Sequence, residues 1–334
     1  MNTSTITSRI SATAALLAAA LLAALPAQAQ KAWSPSRNVE IVVGSAPGGS
    51  NDKTARAVEK ALVDAKLVPT ALTVVNRPGG GSTIAFAYVR QKRGDAHTLL
   101  VGTTALLTNH IVGLSTISYD DFTPIASLFN DYVVFAVNAN SPIKTGKDLI
   151  ARLKQDPQSV SIAFATTLGS HNHIAAGLVA KSVGVNARNL KAIAFKGSAE
   201  AITQVLGGHI DLVTTAAGNV VSHAAEGRLR IIGVSSAKRF PGALANVPTW
   251  KEQGANVVYG GWRAIMGPRE ITPQQIAYWE GALRKATESR EWKEDLEKNY
   301  WSDDFQGSAE FRKELAKNYK DMKAVLVDIG LAKP

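Results

Sequence analysis

Val39 to Arg56, VEIVVGSAPGGSNDKTAR, holds the chain's most chemically suggestive spacing. The β-branched run Val39, Ile41, Val42 and Val43 predicts a strand. Ser45-Ala46-Pro47-Gly48-Gly49-Ser50 predicts a small-residue loop, and a helix should begin near Asn51. Such a junction gathers unpaired backbone N–H groups ahead of the positive end of a helix dipole. That arrangement holds an anion. It does not by itself transform one.

Motifs that would add a reaction fail in detail. Lys53-Thr54 sits where a phosphate-binding loop needs its Lys-Thr, but Asp52 replaces the preceding glycine and would repel phosphate. Gly233-Val234-Ser235-Ser236-Ala237 lacks the last glycine of a nucleophile elbow. His171 and His173 are two residues apart, which does not match the i, i+4 spacing of a helical zinc pair. The pattern suits capping or packing histidines instead. Asp120-Asp121 and Asp303-Asp304 read as solvated turns. There is no cysteine, so disulfides and thiolate chemistry are excluded. Catalytic pairs distant in sequence stay open.

The elements that would position the anion site alternate. Strands are expected at Ala71–Val75, Thr98–Gly102, Tyr132–Val137, Ser161–Ala165, Lys191–Phe195 and Asp211–Val213, with helices between them. That alternation predicts βαβ units and mostly parallel sheets. Small-residue turns recur at strand ends: Thr166 to Ser170, Lys196-Gly197-Ser198 with Ser198 as the helix cap, and Thr214 to Gly218. Ligands of open α/β sheets sit at such carboxyl ends, so the turns are expected to feed one site. Gln274–Thr287, Arg290–Lys298 and Ser308–Val327 read as amphipathic packing helices.

The first residues read as a leader. Arg9 precedes the apolar run Ala12 to Leu25, and Ala27-Gln28-Ala29 has the A-x-A form of a cleavage site. A secretory signal peptide over 1–29 is expected, cleaved near Ala29, with the product outside the cytoplasmic membrane. The formal charge is +10, or +9 without Arg9. The basic residues are dispersed, which argues against nucleic acid and is compatible with attraction of anions.

Several segments, in order, resemble the periplasmic solute receptors of tripartite tricarboxylate transporters, the Bordetella uptake gene family. Pro47-Gly48-Gly49-Ser50 with Asp52 and Ala55-Arg56 is similar to the family's P-G-G-S-x-D-x-x-A-R. Asn76-Arg77-Pro78-Gly79, Thr98-Leu99-Leu100 with Gly102-Thr103, and Asp121-Phe122-Thr123-Pro124 match its next motifs, His97 replacing the usual Tyr. Lys196-Gly197-Ser198, Gly207-Gly208-His209-Ile210-Asp211, Ser236-Ala237-Lys238-Arg239 and Val247-Pro248-Thr249 complete the series.

The resemblance implies an α/β, type II periplasmic binding fold of the Venus flytrap kind, with the ligand in a cleft between two domains. The expected boundaries are 30–137 with 263–334 for domain 1 and 138–262 for domain 2, the chain crossing near Val137-Asn138 and Tyr259–Trp262. It implies a monomeric receptor that passes a small anionic carboxylate to integral-membrane transporter subunits, with no catalytic residues, metal or cofactor. A ligand sensor for a signalling system and a secreted α/β hydrolase are the alternatives.

The implied ligand groups are Ser45, Ala46, Pro47, Gly48, Gly49 and Ser50, facing Thr166, Thr167, Gly169, Ser170 and His171. Thr103 and Thr104 join from domain 1, and Lys196, Gly197 and Ser198 from domain 2. Amino-acid-binding members carry an Asp where this chain has Thr215. A hydroxyl cannot balance a buried ammonium, so a purely anionic ligand is expected, a di- or tricarboxylate or an aromatic carboxylate. Arg263 replaces a commoner Tyr and pairs either with a second ligand carboxylate or with a protein acid. Asp52 reads as a first-turn helix acid turned away from the ligand. Lys196 either offsets ligand charge or extends to solvent.

Overall fold

The computed structural model describes residues 33–333, so the expected leader at 1–29 and its cleavage site lie outside the described residues. Ten strands are present among them. The first sheet contains β1 (Val39–Val43), β2 (Leu72–Asn76), β3 (Thr98–Thr103), β9 (Gly260–Pro268), β10 (Trp301–Gly307) and the first part of β4 (Phe122–Asn138). The second contains the rest of β4 with β5 (Ser161–Ala165), β6 (Lys191–Phe195), β7 (Leu212–Ala216) and β8 (Leu229–Val234).

Between them run α1 (Ser50–Asp64), α2 (Thr83–Arg90), α3 (Ala105–Ile111), α4 (Gly146–Gln155), α5 (His171–Ser182), α6 (Ser198–Leu206) and α7 (Val221–Ala225). The tail forms α8 (Pro273–Thr287), α9 (Arg290–Asn299) and α10 (Ser308–Asp328). Capping boxes set two of these starts: Thr145 with Asp148 opens α4, and Thr272 with Gln275 opens α8 behind Pro273.

The expectation of mostly parallel sheets is corrected. β1–β2, β1–β3, β5–β6 and β5–β7 are parallel, but β4 runs antiparallel to β7, β8, β9 and β10, and β3 to β9. The parallel pairs are those a βαβ crossover can make. The antiparallel ones involve strands that carry the chain between the sheets. β4 pairs with β9 through Tyr132 and with β7 from Val133, so the switch lies between those two residues. The chain returns at Tyr259–Gly260, where β9 begins. Read from the sequence, the first crossing was placed later, at Val137-Asn138.

Each sheet buries its own core. Val42, Leu100, Phe86, Met266, Trp262 and Phe311 pack together on the first. Phe135, Ile162, Val179, Ile232 and Trp250 do so on the second, with Phe135 and Trp250 edge to face, centroids 4.6 Å apart. The other face of that sheet is covered by α6 residues Ala201, Ile202 and Val205.

The last helix does not stay with the first sheet. Phe311 and Leu315 of α10 join that sheet's core, whereas Met322, Leu326 and the following Ile329 pack on Ile174 of α5. Lys181 pairs with Asp328, and Arg188 donates to the Val327 carbonyl at 3.3 Å. α10 therefore straddles both lobes.

Leu326 is fully buried in that bridging cluster. Leu326→Ala should cost about 2–5 kcal/mol through lost burial and a residual cavity. Urea unfolding of wild type and variant, compared at unchanged m-value, checks this.

Candidate functional site

The anion loop forms as its residues predict, but two of its N–H groups are already used. Asp52, in the first turn of α1 and 2% exposed, accepts from Gly48 N at 2.8 Å, Asn76 Nδ2 at 2.9 Å and Arg56 Nε at 3.0 Å. Gly49 N donates to the Ala46 carbonyl at 3.1 Å. The Asp52 carboxyl is held below its usual range: burial opposes ionisation, and the bonds from Arg56, Asn76 and Gly48 outweigh it. It is turned into the loop's own scaffold, as the sequence suggests. The donors left for an anion are the N–H groups of Ser50, Asn51 and Asp52, which have no partner within the helix. The Ser45 hydroxyl, buried beside them, has no partner either.

A second junction of the same kind forms at β5 and α5. Thr166 N donates to the Phe195 carbonyl at 2.8 Å, tying the loop to β6. Ser170 is the N-cap of α5, yet its side chain makes no capping bond and its Oγ is buried without a partner. Gly169 N donates to His173 Nδ1 at 3.0 Å, and His173 stacks on Phe164 at 4.8 Å between centroids. His173 is thus the packing histidine the sequence suggests, and it fixes the loop. Thr166 adopts φ +76°, the left-handed region that a β-branched residue rarely enters. Strain of this sort persists only where surrounding contacts impose it, often at ligand loops.

The two loops meet at β9. Arg263 stands opposite Thr103 of β3 and Phe129 of β4 in register. Its Nη2 bonds Asp131 Oδ2 at 3.1 Å and reaches Ser50 Oγ at 3.5 Å, while Nη1 donates to the Gly261 and Trp262 carbonyls at 3.1 and 3.3 Å. Both ion-pair partners are buried, Asp131 1% and Arg263 5% exposed. Burial raises the Asp131 pKa and lowers that of Arg263, and the attraction between them opposes both shifts. From the other lobe His171 packs over Gly261: a Cβ there would lie 3.1 Å from His171 Nδ1 and 3.3 Å from Arg263 Nη1. A Cβ at this position would fit only if His171 or Arg263 gave way by a few tenths of an ångström. His171 is held neutral, its pKa near 3, by burial first and by the Arg263 charge second. Burial also pushes the Tyr259 phenol up, its ring 6.2 Å from that of His171.

The remaining sequence-derived residues divide. Thr103 and Thr104 are buried at the end of β3, Thr103 Oγ1 accepting from Ala105 N at 3.3 Å. Thr215 is buried within β7 rather than in the turn after it, and its Oγ1 accepts from Asn219 Nδ2 at 3.0 Å. Lys196 is exposed, and its N–H is held by Glu200 Oε2 at 3.1 Å, which favours the solvent-directed alternative. Gly197, not Ser198, caps α6. Arg263 has the protein acid, which satisfies the second of its two readings.

Asp131 is the residue that sequence reasoning missed. Its signal was an acid inside an otherwise apolar stretch, PIASLFNDYVVFAV. The strand was expected to begin only at Tyr132, and Asn and Asp are both depleted in strands.

The model of the "tripartite tricarboxylate transporter family receptor" matches residues 54–331. A UPF0065 protein of Bordetella bronchiseptica is 32% identical over 78% of this chain and 76% of its own. A TctC solute-binding protein from Polaromonas, solved without ligand, superposes with TM-score 0.69 at 29% identity, covering 88% of this chain and 99% of that one. An R. palustris protein solved with adipate superposes with TM-score 0.80 at 24% identity, over 89% and 99%. That second likeness is one of fold.

Two measurements test the second loop. His173 titrates near 4 in the fold against 6.5 unfolded, and His171 near 3. Between those values the unfolded chain binds more protons, so stability falls as pH drops from about 6.5 toward 4, by about 3 kcal/mol from His173 alone. Melting temperature against pH should show this slope, and His173→Gln should make it shallower, leaving the part that His171 contributes. Thr166→Gly should relieve strain of about 1 kcal/mol, raising the denaturation midpoint.

Proposed function

The chain belongs to the tripartite tricarboxylate transporter receptor family, and on that premise we propose that it captures a small carboxylate in the cleft between its lobes. It is a solute-binding receptor of an extracytoplasmic family rather than an enzyme. No helix among the described residues is long and apolar enough to cross a membrane. Export by a leader cleaved near Ala29, action as a monomer and delivery to integral-membrane transporter subunits are parts of this reading.

One observation carries the ligand assignment. Two helix N-termini, those of α1 and α5, come from different lobes and are brought together at Gly261 and Arg263. Each offers free N–H groups and a buried serine hydroxyl without a partner, Ser45 Oγ and Ser170 Oγ. Buried unsatisfied polar groups cost about 1–3 kcal/mol each, a debt that an anionic ligand clears. Charge-assisted hydrogen bonds contribute about 1.5–3 kcal/mol apiece. A handful reaches the roughly 8 kcal/mol of a micromolar complex after the cost of ordering the two lobes.

The Thr215 hydroxyl, already bonded to Asn219, supports a ligand without an ammonium group. Thr103, Thr104 and Ser50 complete the first-lobe side of the clamp. Thr166, Thr167, Gly169 and His171 complete the other, with Lys196 to Ser198 at its margin.

A thermal-shift and calorimetry panel of dicarboxylates, tricarboxylates, aromatic carboxylates and amino acids tests the reading. A true ligand at a hundredfold excess over its Kd adds about 2.7 kcal/mol to stability. Ser45→Ala, Ser170→Ala and Thr215→Asp should each weaken its binding, the last most. Stabilisation by none of the carboxylates, or by amino acids alone, would overturn it.

A further inference from the structure

Asp131 and Arg263 share one bond and leave two atoms unused. Asp131 Oδ2 meets Arg263 Nη2 at 3.1 Å. Asp131 Oδ1 and Arg263 Nε are buried without any partner. Nε and Nη2 lie on one edge of the guanidinium fork, so the free donor and the free acceptor flank the same bond. Ser50, at the start of α1, stands beside this edge: its hydroxyl reaches Arg263 Nη2 at 3.5 Å and also bonds the Asp131 carboxylate, while His171 of the second lobe packs by Nη1 on the other edge.

The chemistry that satisfies both atoms is narrow. A ligand carboxylate would bond Nε but face the Asp131 charge. An ammonium would bond Oδ1 but face Arg263. A hydroxyl donates to Oδ1 and accepts at Nε, and it adds no charge to a pair that is already neutral. We propose that Asp131 and Arg263 together form a hydroxyl-recognition subsite, so that the receptor selects a hydroxycarboxylate over the same acid without its hydroxyl. The inference rests on the carboxylate reading above. Sites built to bond a hydroxyl reject the analogue lacking it, because their own buried groups are then left unpaired.

Calorimetry on the full mature chain with matched acids tests it: malate against succinate, citrate against tricarballylate, mandelate against phenylacetate, with aspartate as the ammonium counterpart. In the pair that binds, the hydroxy acid should be at least tenfold tighter. The double variant Asp131→Asn/Arg263→Gln, checked for folding by circular dichroism and melting temperature, keeps the pair neutral. It should bring the two acids within about threefold of each other. If the deoxy acid binds as tightly as its hydroxy partner, or aspartate tighter than malate, the subsite is overturned and a water bridges the two atoms. If the double variant folds and keeps the full preference, the hydroxyl is read elsewhere and the assignment falls. Binding of no acid at all overturns the carboxylate reading, and the subsite with it.

Discussion

The buried contact between Arg263 and Asp131 is the constraint around which the molecule is arranged. Two ions removed from water are strongly destabilising unless each stays close to the other. β4 must therefore carry Asp131 one residue before Tyr132, its last residue in the first sheet, and β9 must bring Arg263 back beside it. The same geometry puts Thr103 next to Arg263, draws in Ser50, and leaves little room for a side chain at Gly261, where His171 enters from the other lobe.

Charge at the site is managed differently from what the chain's basic character suggests. The cations near the cleft are committed: Arg263 to Asp131, Arg56 to Asp52. Lys196 faces solvent. On the reading proposed above, attraction for an anion falls to helix termini and hydroxyls, which are held in place by the fold.

Much of the fold was readable because its signals are local. β5 and β6 occupy the very spans expected, since each is a short apolar run between helical patterns. The two anion loops follow from small residues placed between a strand and a helix. What was not readable depends on partners far along the chain. The strand β4 was expected only from Tyr132, whereas it starts at Phe122 and carries Asp131, which finds its partner in Arg263 far along the chain. Antiparallel pairing was missed for the same reason, as β4 and β9 are strands whose neighbours come from elsewhere in sequence. Thr215 was taken for a turn residue, although its strand continues past it to Ala216 because β4 provides a ladder there. The apolar face of α10 was visible, but periodicity says which residues are buried and not against what.

That straddling helix changes the mechanics of the cleft. At 21 residues α10 is a stiff rod about 31 Å long, anchored near one end to the first lobe and near the other to the second. Two strand crossings alone would make a free pivot. A rod fastened on both sides makes a braced one, so the jaws can part only along the arc on which α10 rolls over α5, or by prying Met322 and Leu326 off Ile174. The brace limits how far the mouth gapes. It also turns small shifts at the anion loops into leverage on the outer surface that α10 presents.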